Sequence, residues 1–192
     1  ARLSALELLQ KVTNRIPGMV YQFRLRPDGS SHLPYVSEGI RDVYHVQPED
    51  VQHDDRILFK FTHPDDYQEL LASLEESANN LTPWRHEYRT KFKDGLVRWL
   101  YGSAVPEREE DGAILWHGFI EDITDRKANE EQLRKLSQAV EQSPEGVVIT
   151  DTHANIEYVN SAFEQSTGLK REEVIGKNPI ILECGKTPDY SY

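Results

Sequence analysis

Cysteine is nearly missing from this chain: Cys184 is the only one in 192 residues. A lone thiol excludes an internal disulfide and a cysteine-rich zinc site. A reducing, cytoplasmic setting is the expectation. Positive charge is also scarce, with 22 Lys and Arg against 33 Asp and Glu, a net charge of −11. Such a chain is repelled by phosphate backbones, so nucleic acid is not an expected partner. No apolar run approaches the roughly 18 residues of a membrane-spanning helix. Glycine (11) and proline (10) are too few for general disorder, and 38% hydrophobic with 29% charged residues fits a folded chain. The chain starts at Ala1 and stops at Tyr192. A fragment of a longer protein is expected.

Hydrophobic spacing supplies the elements. Ala5, Leu9, Val12 and Ile16 recur at helical intervals, and Pro17-Gly18 ends that N-terminal helix. The runs 19–26 and 33–37 read as strands around Pro27-Asp28-Gly29. Short helices are expected in 38–58. A longer one should open at Pro64, with Tyr67, Leu70, Leu71, Leu74 and Ala78 as its apolar stripe. In 84-WRHEYRTKF-92 the residues Trp84, His86, Tyr88, Thr90 and Phe92 alternate with Arg85, Glu87, Arg89 and Lys91, the period of a half-buried strand. Asp94-Gly95 marks a hairpin, and strands at 97–105 and 113–122 complete three in succession. The order predicts an α+β fold, a five-stranded antiparallel sheet with short helices on one face.

At 118-GFIEDITDRKANEEQLRKL-136 a strand passes into a charged helix without glycine or proline between them. Asp122 and Thr124 are capping residue types. Glu130–Arg134 and Glu131–Lys135 are i,i+4 pairs in the favoured order. The elements then begin again. 8-LLQKV-12 resembles 136-LSQAV-140, Tyr35-Val36-Ser37 resembles Tyr158-Val159-Asn160, and Pro48–Val51 corresponds to Arg171–Val174. The repeat makes the helix that leaves the first copy the helix that enters the second. That second copy stops before its long helix and last three strands, so it is expected to be loosely held alone.

These runs resemble a known family. 84-WRHEYRTKFKDGLVRWL-100 and 118-GFIEDITDRK-127 are similar to the closing part of PAS/PAC sensory domains, whose ending reads D-I-T followed by R-K. 147-VVITDTHANIEYVNSAFEQSTGLKREEVIGKNP-179 resembles the start of a second PAS domain. Two positions depart from the pattern. His45 stands where the family commonly has glycine, aligned with Gly168, and Ala154 replaces a turn glycine. The expected organisation is an N-terminal helix at 1–16, a PAS/PAC domain at 17–124, a connecting helix at 125–143, and a truncated second PAS domain at 144–192.

What the resemblance implies is regulation. The chain would relay a conformational signal through Asp122, Ile123 and Thr124 to an output domain outside it, a diguanylate cyclase or cyclic-di-GMP phosphodiesterase. A histidine-kinase sensor and a ligand-free dimerisation and spacing module are the alternatives. A homodimer would form through the N-terminal or connecting helix, where Leu133, Leu136 and Val140 make a short seam. No catalytic or metal-ligating residues are expected: H-E-x-x-H fails after His86-Glu87, and neither a glycine-rich phosphate loop nor a G-G-D-E-F run is present.

No cofactor is required by the sequence. Photoactive flavin-binding PAS domains carry a reactive cysteine in G-x-N-C-R-F-L-Q. Here 176-GKNPIILE-183 puts Pro179 in its place. Haem would need an axial ligand, and His32, His45, His53, His63, His86, His117 and His153 read more simply as structural residues. An organic ligand would lie among Tyr44, Phe59, Tyr88, Trp99 and Tyr101. Aromatic residues fill cores as readily as they line pockets, and a filled core is the simpler expectation.

Overall fold

The computed structural model describes residues 17–52 and 56–182. The expected N-terminal helix and Cys184 lie outside the described residues. The chain divides into two compact units, 1–127 and 128–192.

In the first unit, β1 (Met19–Leu25) and β2 (Ser31–Val36) are followed by short helices α1 (Ile40–Tyr44), α2 (Pro48–Gln52) and α3 (Arg56–Phe59). Then come α4 (Tyr67–Asn80), β3 (Trp84–Lys91), β4 (Val97–Arg108) and β5 (Ile114–Asp122). The sheet order is β2-β1-β5-β4-β3, with antiparallel neighbours throughout. Strand alternation decides which residues enter the core. Met19 and Tyr21 of β1, Trp84, Tyr88 and Thr90 of β3, Leu100 and Ala104 of β4, and Trp116 and Ile120 of β5 are buried. Ile40, Val43, Tyr44, Val51 and Leu70 cover the same face from the helical side.

The helix α4 starts at Tyr67, not at Pro64. Asp66 precedes it and holds the carboxylate for Arg89, which donates from its backbone N at 2.8 Å, Nε at 2.9 Å and Nη2 at 2.5 Å. This pair ties the start of α4 to β3 and draws the Asp66 carboxyl below its ordinary range, chiefly through the guanidinium hydrogen bonds. The buried stripe also differs from the expected one. Leu71 is exposed and Ser77 is buried. The reason is two indole N–H groups that must be satisfied on leaving water. Trp84 donates to Ser73 Oγ at 2.9 Å and Trp116 to Ser77 Oγ at 3.0 Å. These serines are one helical turn apart on α4. The position under Trp84 must be glycine, because a Cβ on Gly102 would lie 2.3 Å from the indole ring.

His45 closes α1 in the left-handed region at φ 58°, as Gly168 (φ 75°) closes the corresponding helix of the second unit, and Ala154 is left-handed too (φ 61°). His45 and Gly168 are the pair matched by the repeat alignment, and Ala154 is the position where the family commonly has a turn glycine.

A long helix, α5 (Thr124–Glu141), spans the boundary between the units. Its Leu133 and Leu136 are exposed. Glu131 pairs with Arg134 and Lys135, and Arg134 above all holds its carboxyl down at about 2. The second unit continues with β6 (Val148–Thr150), β7 (Ile156–Val159), α6 (Ser161–Thr167), α7 (Arg171–Val174) and a 3-10 turn at Pro179–Leu182. Ile156, Val159, Phe163 and Val174 form its core. Asn160 is fully buried and ties the unit together. Its Oδ1 accepts from Val147 N and Phe163 N, and its Nδ2 donates to Val140 O and Glu145 O. Among the described residues, no helix is long and apolar enough to cross a membrane.

Candidate functional site

Between the sheet and the helices of the first unit lies a cavity of about 60 Å³. Its aromatic walls come from Tyr21 and Phe23 of β1, Phe59 of α3, Trp84 of β3 and Trp116 of β5, and Leu70 and Leu74 of α4 close it on the helical side. The two Trp–Ser hydrogen bonds hold α4 against the sheet beside this space. Tyr44 of α1 and Tyr88 of β3 meet across it, hydroxyl to hydroxyl at 2.8 Å. Burial raises the pKa of Tyr21, Tyr44 and Tyr88 well above the ordinary phenol value, so all three are neutral donors at physiological pH. The interior is therefore not the filled core that aromatic content alone suggests. Rings spanning short, separately anchored helices leave space between them.

Of the five residues singled out in the sequence, Tyr44, Phe59 and Tyr88 line the cavity. Trp99 and Tyr101 do not, and strand parity is the reason. In β4 the even-numbered Leu100 and Ala104 face the core, so residues 99 and 101 point to the other side of the sheet. There Tyr101 packs edge-on against Phe119 at 6.2 Å. The described histidines are elsewhere as well. His86 stacks between Trp84 and Tyr88, His117 pairs with Glu107 at 3.0 Å, and His63 joins the turn before α4 through its backbone N to Arg89 O. None of them lines the cavity.

Trp99 belongs to a second cluster, which fastens the first turn of α5 to the outer face of the sheet. Asp122 Oδ1 accepts from Thr124 N at 2.9 Å and from Thr124 Oγ1 at 2.5 Å. Thr124 Oγ1 in turn accepts from Trp99 N at 3.0 Å. Ile123 is buried and donates its N–H to Trp99 O at 2.8 Å. The three residues thus stitch the helix start to β4, and Asp122 receives the Arg98 guanidinium at 3.3 Å. Glu87 on β3 completes the cluster. It accepts from Arg126 at 2.8 Å and from Lys127 at 2.5 Å, and the Lys127 ammonium also sits 5.2 Å from the centre of the Trp99 ring. The Lys127 hydrogen bond, followed by that of Arg126, holds the Glu87 carboxyl below its usual range, so the latch is charged at neutral pH. Tyr88 and Glu87 are neighbours on one strand. The first faces the cavity and the second holds the helix.

Family models of the PAS fold match residues 33–120 and again residues 134–191. The chain belongs to the PAS fold family. Its two PAS regions correspond to the two units. Among solved structures, the PAS chain is similar to a sensory box histidine kinase/response regulator from Burkholderia thailandensis E264. The TM-score is 0.51 at 20% identity, over 72% of this chain and 98% of that one, which bears on the fold. It is 28% identical over 163 residues to a methyl sulfide methyltransferase-associated sensor of Methanosarcina acetivorans, covering 84% of this chain. It is 23% identical over 179 residues to a probable diguanylate cyclase of Escherichia coli, covering 88% of this chain. The chain spans 16% of the length of either relative.

Sequence reasoning reached the D-I-T joint of the PAS unit but missed Glu87. The signal available was its place on the polar face of β3. What that face meets depends on cross-strand pairing, here Glu87 opposite Tyr101 and Arg89 opposite Trp99, and on where the following helix lands.

Proposed function

We propose that the chain is the sensory and regulatory part of a longer signal-transduction protein. In this reading the first PAS unit senses through its cavity and acts on its output through α5. One observation carries it: Tyr88 in the cavity and Glu87 in the latch are adjacent on β3, so a displacement of the strand on one face is felt on the other. The output domain lies outside this chain. A diguanylate cyclase or cyclic-di-GMP phosphodiesterase fits the likeness to the Escherichia coli relative.

Leu74 lines the cavity, and Leu74→Phe adds volume there as an occupant would. The test compares GTP or cyclic-di-GMP turnover by the full-length protein with and without this change. Couplings between sites are commonly about 5–150-fold. A change in turnover of that order is expected from Leu74→Phe, and it should fall to near unity when Asp122→Ala and Thr124→Ala are added. An undiminished response in the triple variant would refute the relay.

A further inference from the structure

The chemistry of the cavity wall narrows what can occupy it. Among the described residues, its walls carry no Asp, Glu, Lys, Arg or His. An anion there would have no counter-charge, and a cation would have aromatic faces but no carboxylate to offset its loss of water. The polar groups are hydroxyls: Tyr21, Tyr44, Tyr88 and Thr62. In the Tyr44–Tyr88 pair one hydroxyl donates to the other, which leaves the second proton of the pair unspent. Tyr21 is 7% exposed, and its ring lies close to the Tyr44–Tyr88 pair on the same wall. The wall therefore offers donors in an apolar, aromatic surround and asks for an acceptor. Size limits the rest. A cavity of about 60 Å³ is less than half the ~150 Å³ that accommodates benzene.

Taking the cavity as the sensing site, as proposed above, we infer that its ligand is a small uncharged molecule with one carbonyl-type acceptor. Tyr21 and the Tyr44–Tyr88 pair donate to that acceptor, and Trp84, Trp116 and Phe59 pack on its apolar part. Thiolate chemistry and metal ligation play no part in this recognition. The acceptor bridges β1 to β3 through the two hydroxyl positions, which places the ligand against the strand that carries Glu87.

Three molecules of one shape separate the alternatives: acetone, acetate and isobutene. Each has a trigonal centre and four heavy atoms, and they differ in being a neutral acceptor, an anion and a hydrocarbon. The readout is the indole N–H resonances of the intact ¹⁵N-labelled chain, which has three tryptophans, two of them in the cavity wall. Acetone is expected to shift the Trp84 and Trp116 signals saturably, and acetate is expected to leave them unmoved. Tyr21→Phe should weaken acetone by about fivefold, the worth of one net hydrogen bond, and leave isobutene unchanged. Tyr88→Phe, which spares Tyr21, should weaken acetone as well. The inference is overturned if acetate binds as well as acetone, if isobutene binds better, or if acetone is indifferent to both tyrosine substitutions. The two readings fail separately. Selective acetone binding with Trp99 and Lys127 unmoved supports the ligand class and removes the relay. A response to Leu74→Phe with no acetone binding removes the ligand class alone.

Discussion

Replacing Asn160 with alanine is expected to unfold the second PAS unit at room temperature and leave the first folded. Asn160 is fully buried and makes four hydrogen bonds, to Val140 O, Glu145 O, Val147 N and Phe163 N. Alanine would remove all four and leave buried backbone groups without partners, a loss of about 3–5 kcal/mol at roughly 1 kcal/mol or more per bond. The unit has little to set against this. Among the described residues its sheet has two strands, and its buried core is Ile156, Val159, Phe163 and Val174. Two-stranded sheets are marginal on their own. Amide resonances of residues 144–180 should collapse to random-coil positions, with those of β1–β5 unchanged. Asn160→Asp keeps the acceptor for Val147 and Phe163 but turns a carboxylate oxygen toward Val140 O and Glu145 O in a buried site, and should be no milder. A second unit that stays folded with alanine at 160 would show that the bonds around Asn160 are not what holds it.

The second large effect is expected at Gly102. A methyl there would lie 2.3 Å from the Trp84 ring, which cannot retreat: the indole is buried and its N–H is engaged by Ser73. Overpacking of this kind costs about 1–3 kcal/mol and occasionally more. For Gly102→Ala we expect about 2 kcal/mol, a fall in melting temperature of roughly 10 °C. Gly102→Val should exceed it. The Trp84 indole N–H resonance should lose the shift that marks its bond to Ser73. An unchanged melting temperature would mean that the sheet yields at β4 more easily than its packing implies. Ser73→Ala alone should be smaller, since it removes one hydrogen bond without moving the ring.

Much of this architecture is legible in the sequence. The alternation of Trp84, Tyr88 and Thr90 with Arg85, Glu87 and Arg89 identified the inner and outer faces of β3. The alignment of His45 with Gly168 located a left-handed residue where a non-glycine side chain stands. Other features needed the fold. Trp99 and Tyr101 look like core residues by type, yet parity in β4 sends them outward, where Trp99 serves the helix instead. Ser77 looks like a surface residue by type, yet the buried indole of Trp116 needs an acceptor and takes it. Leu71 gives up its place in the stripe as a result. Pro64 looks like a helix start, but the claim of Arg89 on Asp66 delays the helix to Tyr67. In each case a partner distant in sequence outweighs the local preference. Glu87 shows the same limit in the site itself. Its charge and exposure were plain, but the two cations that meet it arrive from a helix nearly forty residues later.

The central claim is that the cavity and the first turn of α5 are coupled through β3. Amide hydrogen exchange at Ile123 and Lys127, whose N–H groups bond Trp99 O and Ile123 O, reads that coupling directly. Leu74→Phe should change the protection of both amides. In a Glu87→Gln background, where the latch has lost its charge, the same substitution should leave Lys127 unaffected. If filling the cavity leaves both amides unchanged, or changes Lys127 equally with and without the Glu87 carboxylate, the coupling does not run through this strand.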